Sequence, residues 1–339
     1  MSIPYRTQQK IKRFAISLVI LLVVAVIVWG FWVIWLQRFV VYTRNEGAVI
    51  DFNQPETLPA GEAAVPPEES AIEIYYNEGD DKINTGLELT KLEGYYVTRD
   101  ELSEDAAGVW DRIQTLPSNT AVMLELKDIY GNFYYSTNTG RPKIDKEKTT
   151  AVDRLLSNLK SSNYYTIARM PALRDLNFGL DNTSTGLPVE GGYLWPDEYG
   201  CYWLDPTKEG TIAYLMNIAK ELQALGFDEV VFEDYYFPDS EEIVFTADKK
   251  KALEDTAQSL VTNCASNTFA VSFVSDGSWT APTGRSRTYR DDVSNPVELM
   301  ATVERITIEQ PDIYLVFVTS NMDERFEEYG VLRPLEQHH

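Results

Sequence analysis

Residues 206–238 read PTKEGTIAYLMNIAKELQALGFDEVVFEDYYFP and hold one complete helix-to-strand unit. Ile212, Leu215, Met216, Ile218, Ala219, Leu222 and Leu225 recur at the three- and four-residue spacing of a helix face. Asp205 before Pro206 is the expected N-cap, and Gly226 supplies the stop. Residues 229–232 then form an apolar strand that ends on two adjacent carboxylates, Glu233 and Asp234. Side chains alternate along a strand, so regular geometry points only one of the two inward.

The same alternation extends in both directions. Strands are expected at 93–97, 121–126, 164–169, 229–232, 269–273 and 313–318, with weaker candidates at 71–76 and 285–290. Helices fit between them at 99–116, 146–161, 207–225, 247–263 and 296–308, Asp248 capping the fourth. The expected class is α/β, a (β/α)8 TIM-type barrel whose weaker strands leave room for irregularity.

Ahead of this pattern, residues 14–36 form an uncharged run of 23 residues. As a helix it would be about 34 Å long, enough to cross a hydrocarbon core. Arg6, Lys10, Lys12 and Arg13 precede it, whereas Arg38 and Arg44 are the only basic residues soon after it. The bias places the N-terminus in the cytoplasm. A cleaved signal peptide is the competing reading, but the run exceeds the usual apolar region and no small-x-small site follows. The expected organisation is a basic cytoplasmic segment (1–13), a transmembrane helix (14–37), an acidic, proline-rich flexible tether (38–70) and an extracellular domain (71–339) of a single-pass cell-membrane protein.

Five of the 30 basic residues lie in the first 42 and none of the 52 acidic ones do, so the remainder carries a net charge of −27. Nucleic acid is thereby disfavoured as a partner. The only histidines are His338 and His339 at the C-terminus, which removes Ser-His-Asp and Cys-His pairs and histidine-based metal sites from the domain. Neither common phosphate-cradling glycine pattern occurs. No cofactor or metal is expected, and any acid–base chemistry falls to carboxylates. Cys201 and Cys264 could pair outside the cell, but their spacing does not decide it.

Catalytic groups of a parallel barrel sit at the C-terminal ends of its strands. Those positions hold Glu125, Lys127 and Asp128; Arg169, Arg174 and Asp175; Glu233 and Asp234; and Asp276 with Trp279. Tyr202, Trp203 and Tyr236 fall in the same loops, and aromatic faces suit the apolar C–H faces of sugar rings.

Four of these segments resemble a known family. Glu125-Leu-Lys-Asp-Ile-Tyr-Gly131 is similar to D-x-K-D-x-x-G, Arg169-Met-Pro-Ala-Leu-Arg-Asp175 to R-x-x-x-F-K-D, and Trp203-Leu-Asp-Pro206 to W-x-[DN]-P. Residues 226–238 resemble G-F-D-E-I-Q-F-D-Y-x-R-F-P. Together they look like the glycoside hydrolase-like domain of many bacterial surface proteins, described as a glycosidase-like barrel, over residues 92–335. The chain departs from the pattern at Glu125, which replaces an Asp, at Glu233 with Asp234 shifted by one, and at Tyr236, which stands where the family has Arg.

The resemblance implies hydrolysis of a glycosidic bond in a cell-envelope or extracellular polysaccharide. Asp234 or Glu233 would pair with Asp128 as the two catalytic carboxylates. Glu125, Lys127, Arg169, Arg174, Asp175 and Asp276 would orient the sugar or tune those groups, and Tyr202, Trp203, Tyr236 and Trp279 would line its binding surface. The rival expectation is an inactive barrel that binds glycan or a surface protein as a scaffold, which the altered strand-end motif favours. Polysaccharide or oligosaccharide is the expected ligand, and the sequence names no protein partner.

Overall fold

The computed structural model describes residues 40–43, 47–50 and 88–335, apart from 143, 144, 292, 294 and 307. The chain divides into two compact units, residues 1–79 and 80–339. In the first, Val40–Thr43 and Gly47–Ile50 pair antiparallel with Val41 opposite Val49. β-branched residues favour a strand there, within the stretch 38–70 expected as a flexible tether. The expected membrane span 14–37, the segment 1–13, the remainder of the tether and the strand expected at 71–76 lie outside the described residues. Among the described residues no helix is long and apolar enough to cross a membrane.

In the second unit eight parallel strands close into a barrel: β1 (Glu93–Val97), β2 (Ala121–Glu125), β3 (Tyr165–Pro171), β4 (Glu229–Glu233), β5 (Ala270–Val274), β6 (Thr288–Arg290), β7 (Leu315–Val318) and β8 (Gly330–Pro334). They neighbour one another in chain order, and β8 pairs with β1 to complete the ring. Helices α1 (Arg99–Ile113), α2 (Lys146–Lys160), α3 (Glu209–Leu225), α4 (Lys249–Cys264) and α5 (Pro296–Arg305) follow β1, β2, β3, β4 and β6. The expected strand at 285–290 shortens to β6, and the eighth strand is β8 rather than 71–76. The connection from β5 to β6 contains no helix.

Local sequence sets the helix ends. Thr98 accepts from the Glu101 amide and gives its own N–H to the Glu101 carboxylate, a capping box that starts α1 directly after β1. Asp248 caps α4, accepting from Lys251 N–H at 2.9 Å. Asp205 does not cap α3, as expected from sequence; it accepts from Thr207, while Lys208 stands at the N-cap without a side-chain bond. Gly226 ends α3 at φ +96°, a conformation that a side chain would penalise. Gly94 is needed for a different reason: a Cβ there would lie 2.0 Å from the Ala121 carbonyl oxygen, across the β1–β2 seam.

Alternation then sorts the strands into two cores. Ala121, Met123, Ile167, Val231, Tyr289, Val316 and Leu332 fill the barrel interior. Val122, Leu124, Ala168, Met170, Val230, Phe232, Val271 and Phe273 face outward onto helical residues such as Val109, Leu155, Leu215, Ile218 and Leu260. Burying each of the larger side chains stabilises by about 1.5–3 kcal/mol. Cys201 and Cys264 are both buried as free thiols.

Near the N-terminal ends of the strands the interior is polar. Arg287 pairs with Glu229 at 2.5 Å, and their side chains are 1% and 0% exposed. Tyr165 and Ser272 donate to the same carboxylate at 2.9 and 2.5 Å, and Arg287 also reaches the carbonyls of Thr90 and Ile313. Removing one partner of such a pair strands the other charge. Glu229→Ala should therefore lower the unfolding free energy by about 3–5 kcal/mol, read as a reduced urea midpoint; a midpoint within error of the parent would disprove this role.

Candidate active site at the barrel mouth

At the opposite end, β2, β3 and β4 turn Glu125, Arg169 and Glu233 toward the barrel mouth. Arg169 is 7% exposed. Its Nε donates to Glu233 Oε2 at 2.6 Å, and its guanidinium also pairs with Asp291, just past β6. Burial works against the cation, but Glu233, Asp291 and Glu125 together hold its pKa above the ordinary value. Burial pushes the Glu125 carboxyl up, opposed by Arg169 and assisted by Glu233. Glu125 also accepts from the Arg99 N–H at the first residue of α1, 3.3 Å away, where the helix dipole favours an anion.

Asp234 breaks the strand rule on which the sequence reading relied. Its φ is +49°, in the left-handed region that Asp tolerates better than most residues. Alternation fails at that residue. Tyr235 drops into the core and donates to the Leu253 carbonyl, Tyr236 is 46% exposed, and both Glu233 and Asp234 line one cavity of about 580 Å³. Asp276, Trp279, Arg290 and Asp291 line it as well. Burial pushes the Asp234 carboxyl up to about 6, and the neighbouring Glu233 adds to the rise against Arg174, Lys127 and Arg169. Burial also disfavours the Asp276 anion, but hydrogen bonds from Ser278 and the charge of Arg290 hold that carboxyl below its ordinary value. One cavity thus contains a carboxyl that keeps its proton up to about pH 6 and another whose anion is favoured.

Other expected site residues are placed behind this surface. Lys127 and Asp175 pair at 2.7 Å with neither side chain exposed; of the two roles expected, orienting the sugar or tuning the carboxylates, the second suits Lys127, whose charge lowers the Asp234 pKa. Lys127 also donates to the Pro171 carbonyl at 2.8 Å. Asp175 accepts from the Phe178 N–H and the Tyr214 hydroxyl, both at 2.8 Å. A Cβ at Gly131 would lie 2.1 Å from the Asp175 carboxylate, so this motif glycine makes room for the pair. Asp128 is 3% exposed and takes the amides of Tyr130 and Asn132 at 3.0 Å each. It shapes the loop after β2 and is not among the residues lining this cavity, where the carboxylates beside Asp234 are Glu233, Asp276 and Asp291.

Arg174 is held by Asp197, with Nε 2.6 Å from its carboxylate, and lies over the rings of Tyr199 and Trp203 at 4.9 and 5.7 Å. Trp203 is 3% exposed, donates to Asp197 and meets the Tyr236 ring edge-on at 4.8 Å. Tyr202 is half-buried, its Cβ side packed close to Gly179. Trp279 packs on Tyr235 and Phe273 while lining the cavity. Sequence reasoning missed Asp291, Asp197 and Arg290. The strand-end rule applied to 285–290 would have reached Asp291; Asp197 lies in a long loop and carried no signal. Among the described residues no group of three or more His, Cys, Asp or Glu side chains is arranged to hold a metal ion.

A family described as "Putative glycosyl hydrolase domain" matches residues 94–272, more than half of the chain, and the chain belongs to that family. The search of curated proteins gave no match. Among solved structures, a hypothetical protein from Ruminiclostridium thermocellum ATCC 27405 is 21% identical, with 52% of this chain and 96% of that one covered at a TM-score of 0.45. The α-galactosidase from Lactobacillus brevis is 8% identical, covering 73% of this chain and 38% of that one at 0.49. The GH20 β-N-acetylhexosaminidase from Streptomyces coelicolor A3(2) is 10% identical, covering 69% and 49% at 0.42. The chain therefore spans less than half the length of the latter two. The barrel assignment rests on the strand pairing itself.

The raised Asp234 pKa has a stability counterpart. Protonated Asp234 suits its folded surroundings; the unfolded group ionises near 4 and the folded one at about 6, so this contribution is present below pH 4 and lost as pH rises through 6. Asp234→Asn should match the parent at pH 4 and become more stable by up to about 3 kcal/mol at pH 7. Thermal unfolding across that range checks it; a stability difference that does not change with pH would show that the carboxyl is not held protonated.

Proposed function

We propose that this domain hydrolyses glycosidic bonds in a cell-envelope or extracellular polysaccharide. The observation that carries the reading is the convergence of Glu233, Asp234, Asp276 and Asp291 on one cavity at the C-terminal ends of the barrel strands, beside Tyr236 and Trp279. Asp234 is the general acid: its carboxyl gives a proton to the glycosidic oxygen as the bond from the anomeric carbon to that oxygen breaks, and the leaving sugar departs as an alcohol. Asp276 is the ionised partner. It takes a proton from the water that attacks the anomeric carbon, or attacks that carbon itself before water releases the sugar. Arg169 acts through others, pairing with Glu233 and Asp291 and so fixing both carboxylates beside the acid. Glu233 in turn helps Asp234 retain its proton.

The apolar run 14–37 supports a location at the cell membrane, with residues 1–13 in the cytoplasm and the barrel displayed outside. There it would meet envelope polymers without diffusing away.

The test is to incubate the full chain with envelope polysaccharide fractions and follow new reducing ends. Activity should fall as pH rises above about 6, following the Asp234 carboxyl. Asp234→Asn and Asp276→Asn should each lower kcat by roughly 10²–10⁴. Binding of polysaccharide by the unmutated chain with no reducing ends released would identify it as a glycan-binding scaffold.

A further inference from the structure

The connection from β5 to β6 runs without a helix, although β1 to β4 are each followed by one. An outer helix normally covers the barrel wall with apolar side chains. Here the wall carries Ser286 and Thr288, 7% and 4% exposed, and beside them opens a second cavity of about 590 Å³. Arg305 and Tyr314 line its far side. The Ser286 hydroxyl finds no hydrogen-bond partner in the protein, unusual for a buried polar group. Aromatic rings mixed with hydroxyls and a guanidinium form the surface expected for a polyhydroxylated ligand rather than for a helix.

This cavity is not isolated from the carboxylates. Lys250, Ser275 and Trp279 line both it and the cavity that holds Asp234. Other aromatic rings adjoin the Asp234 cavity: its exposed Tyr236 meets the buried Trp203 edge-on, and the Arg174 guanidinium lies over both the Trp203 ring and that of Tyr199, which is 59% exposed. The cavity that holds the acid is therefore adjoined by an aromatic platform and by a second cavity. Each cavity alone falls within the roughly 300–1,000 Å³ that encloses a drug-sized ligand, so the pair holds more space than one sugar fills.

Resting on the hydrolytic reading above, we propose that the two cavities and the platform form one open cleft for a glycan chain, and that the substrate is a polymer cut internally rather than a disaccharide or a chain end. Units on one side of the scissile bond lie against Tyr236 and Tyr199. Units on the other pass Trp279 and enter the cavity between the β5–β6 connection and the segment after α5.

The test uses the full chain carrying Asp234→Asn on an array of immobilised oligosaccharides of one to ten units, together with product analysis of the unmutated chain on the polymer. Binding should appear only with chains of several units, and the first products should be long fragments. Ala281→Trp, which fills the second cavity from its rim, should weaken long-chain binding by about tenfold or more. Thermal unfolding verifies its fold, and Tyr314→Ala provides an independent removal of the far wall. Equal binding of mono- and long oligosaccharides, no binding at all, or long-chain binding untouched by both substitutions would overturn the cleft. Length-independent binding by a chain that still releases reducing ends rejects the cleft and leaves hydrolysis standing. Length-dependent binding by a chain that releases none keeps the cleft and rejects hydrolysis.

Discussion

One buried guanidinium organises the barrel mouth. Arg169 comes from β3, and the carboxylates it faces come from β2, β4 and the segment after β6. A buried cation is tolerated only with such partners, and these partners meet only when the sheet has closed. Closure and charge balance therefore depend on each other. The acidity of the site is linked to the same contact: burial raises the Asp234 carboxyl most, and the charge of Glu233, which Arg169 holds in place, adds to the rise.

Behind the mouth and at the floor the same device recurs. Lys127 with Asp175 and Arg287 with Glu229 are ion pairs without exposed side chains, each completed by hydroxyl donors such as Tyr214, Tyr165 and Ser272. Two pairs that must each find a partner on another strand or loop restrict which registers the barrel can adopt. Their interior cations are committed to the fold, while the excess of negative charge that gives the chain its net −22 is left to the surface and the cavity.

How much of this was legible depended on which signals were local. The helix 209–225 and strand 229–233 follow from an apolar stripe, a glycine and a Val-Val-Phe run, and both stand within two residues of the expected bounds. The eighth strand was not legible: Gly330–Pro334 is five residues with a glycine and a proline, and it is a strand because β7 and β1 flank it. The motif positions were legible in the sequence; the burial of their side chains was not. Lys127, Asp128 and Asp175 occur at strand ends as active-site residues do, and only burial and partners reveal that they brace loops. Between Asp234 and Glu233 the choice stayed open, because strand alternation turns only one of them inward, and the left-handed backbone at Asp234 cancels that alternation.

The helix-free connection between β5 and β6 has a consequence for divergence within the family. It touches both cavities but contributes neither Arg169 nor the carboxylates on β2 and β4, and the barrel pairs β5 with β6 through strand residues alone. Insertions, deletions or exchanges in its later part, residues 280–287, can reshape what lies across the mouth while Asp276 at its start and the carboxylates on the strands keep their places. Selectivity can thus drift independently of chemistry, and relatives that share these carboxylates can have parted company in diet through this one segment.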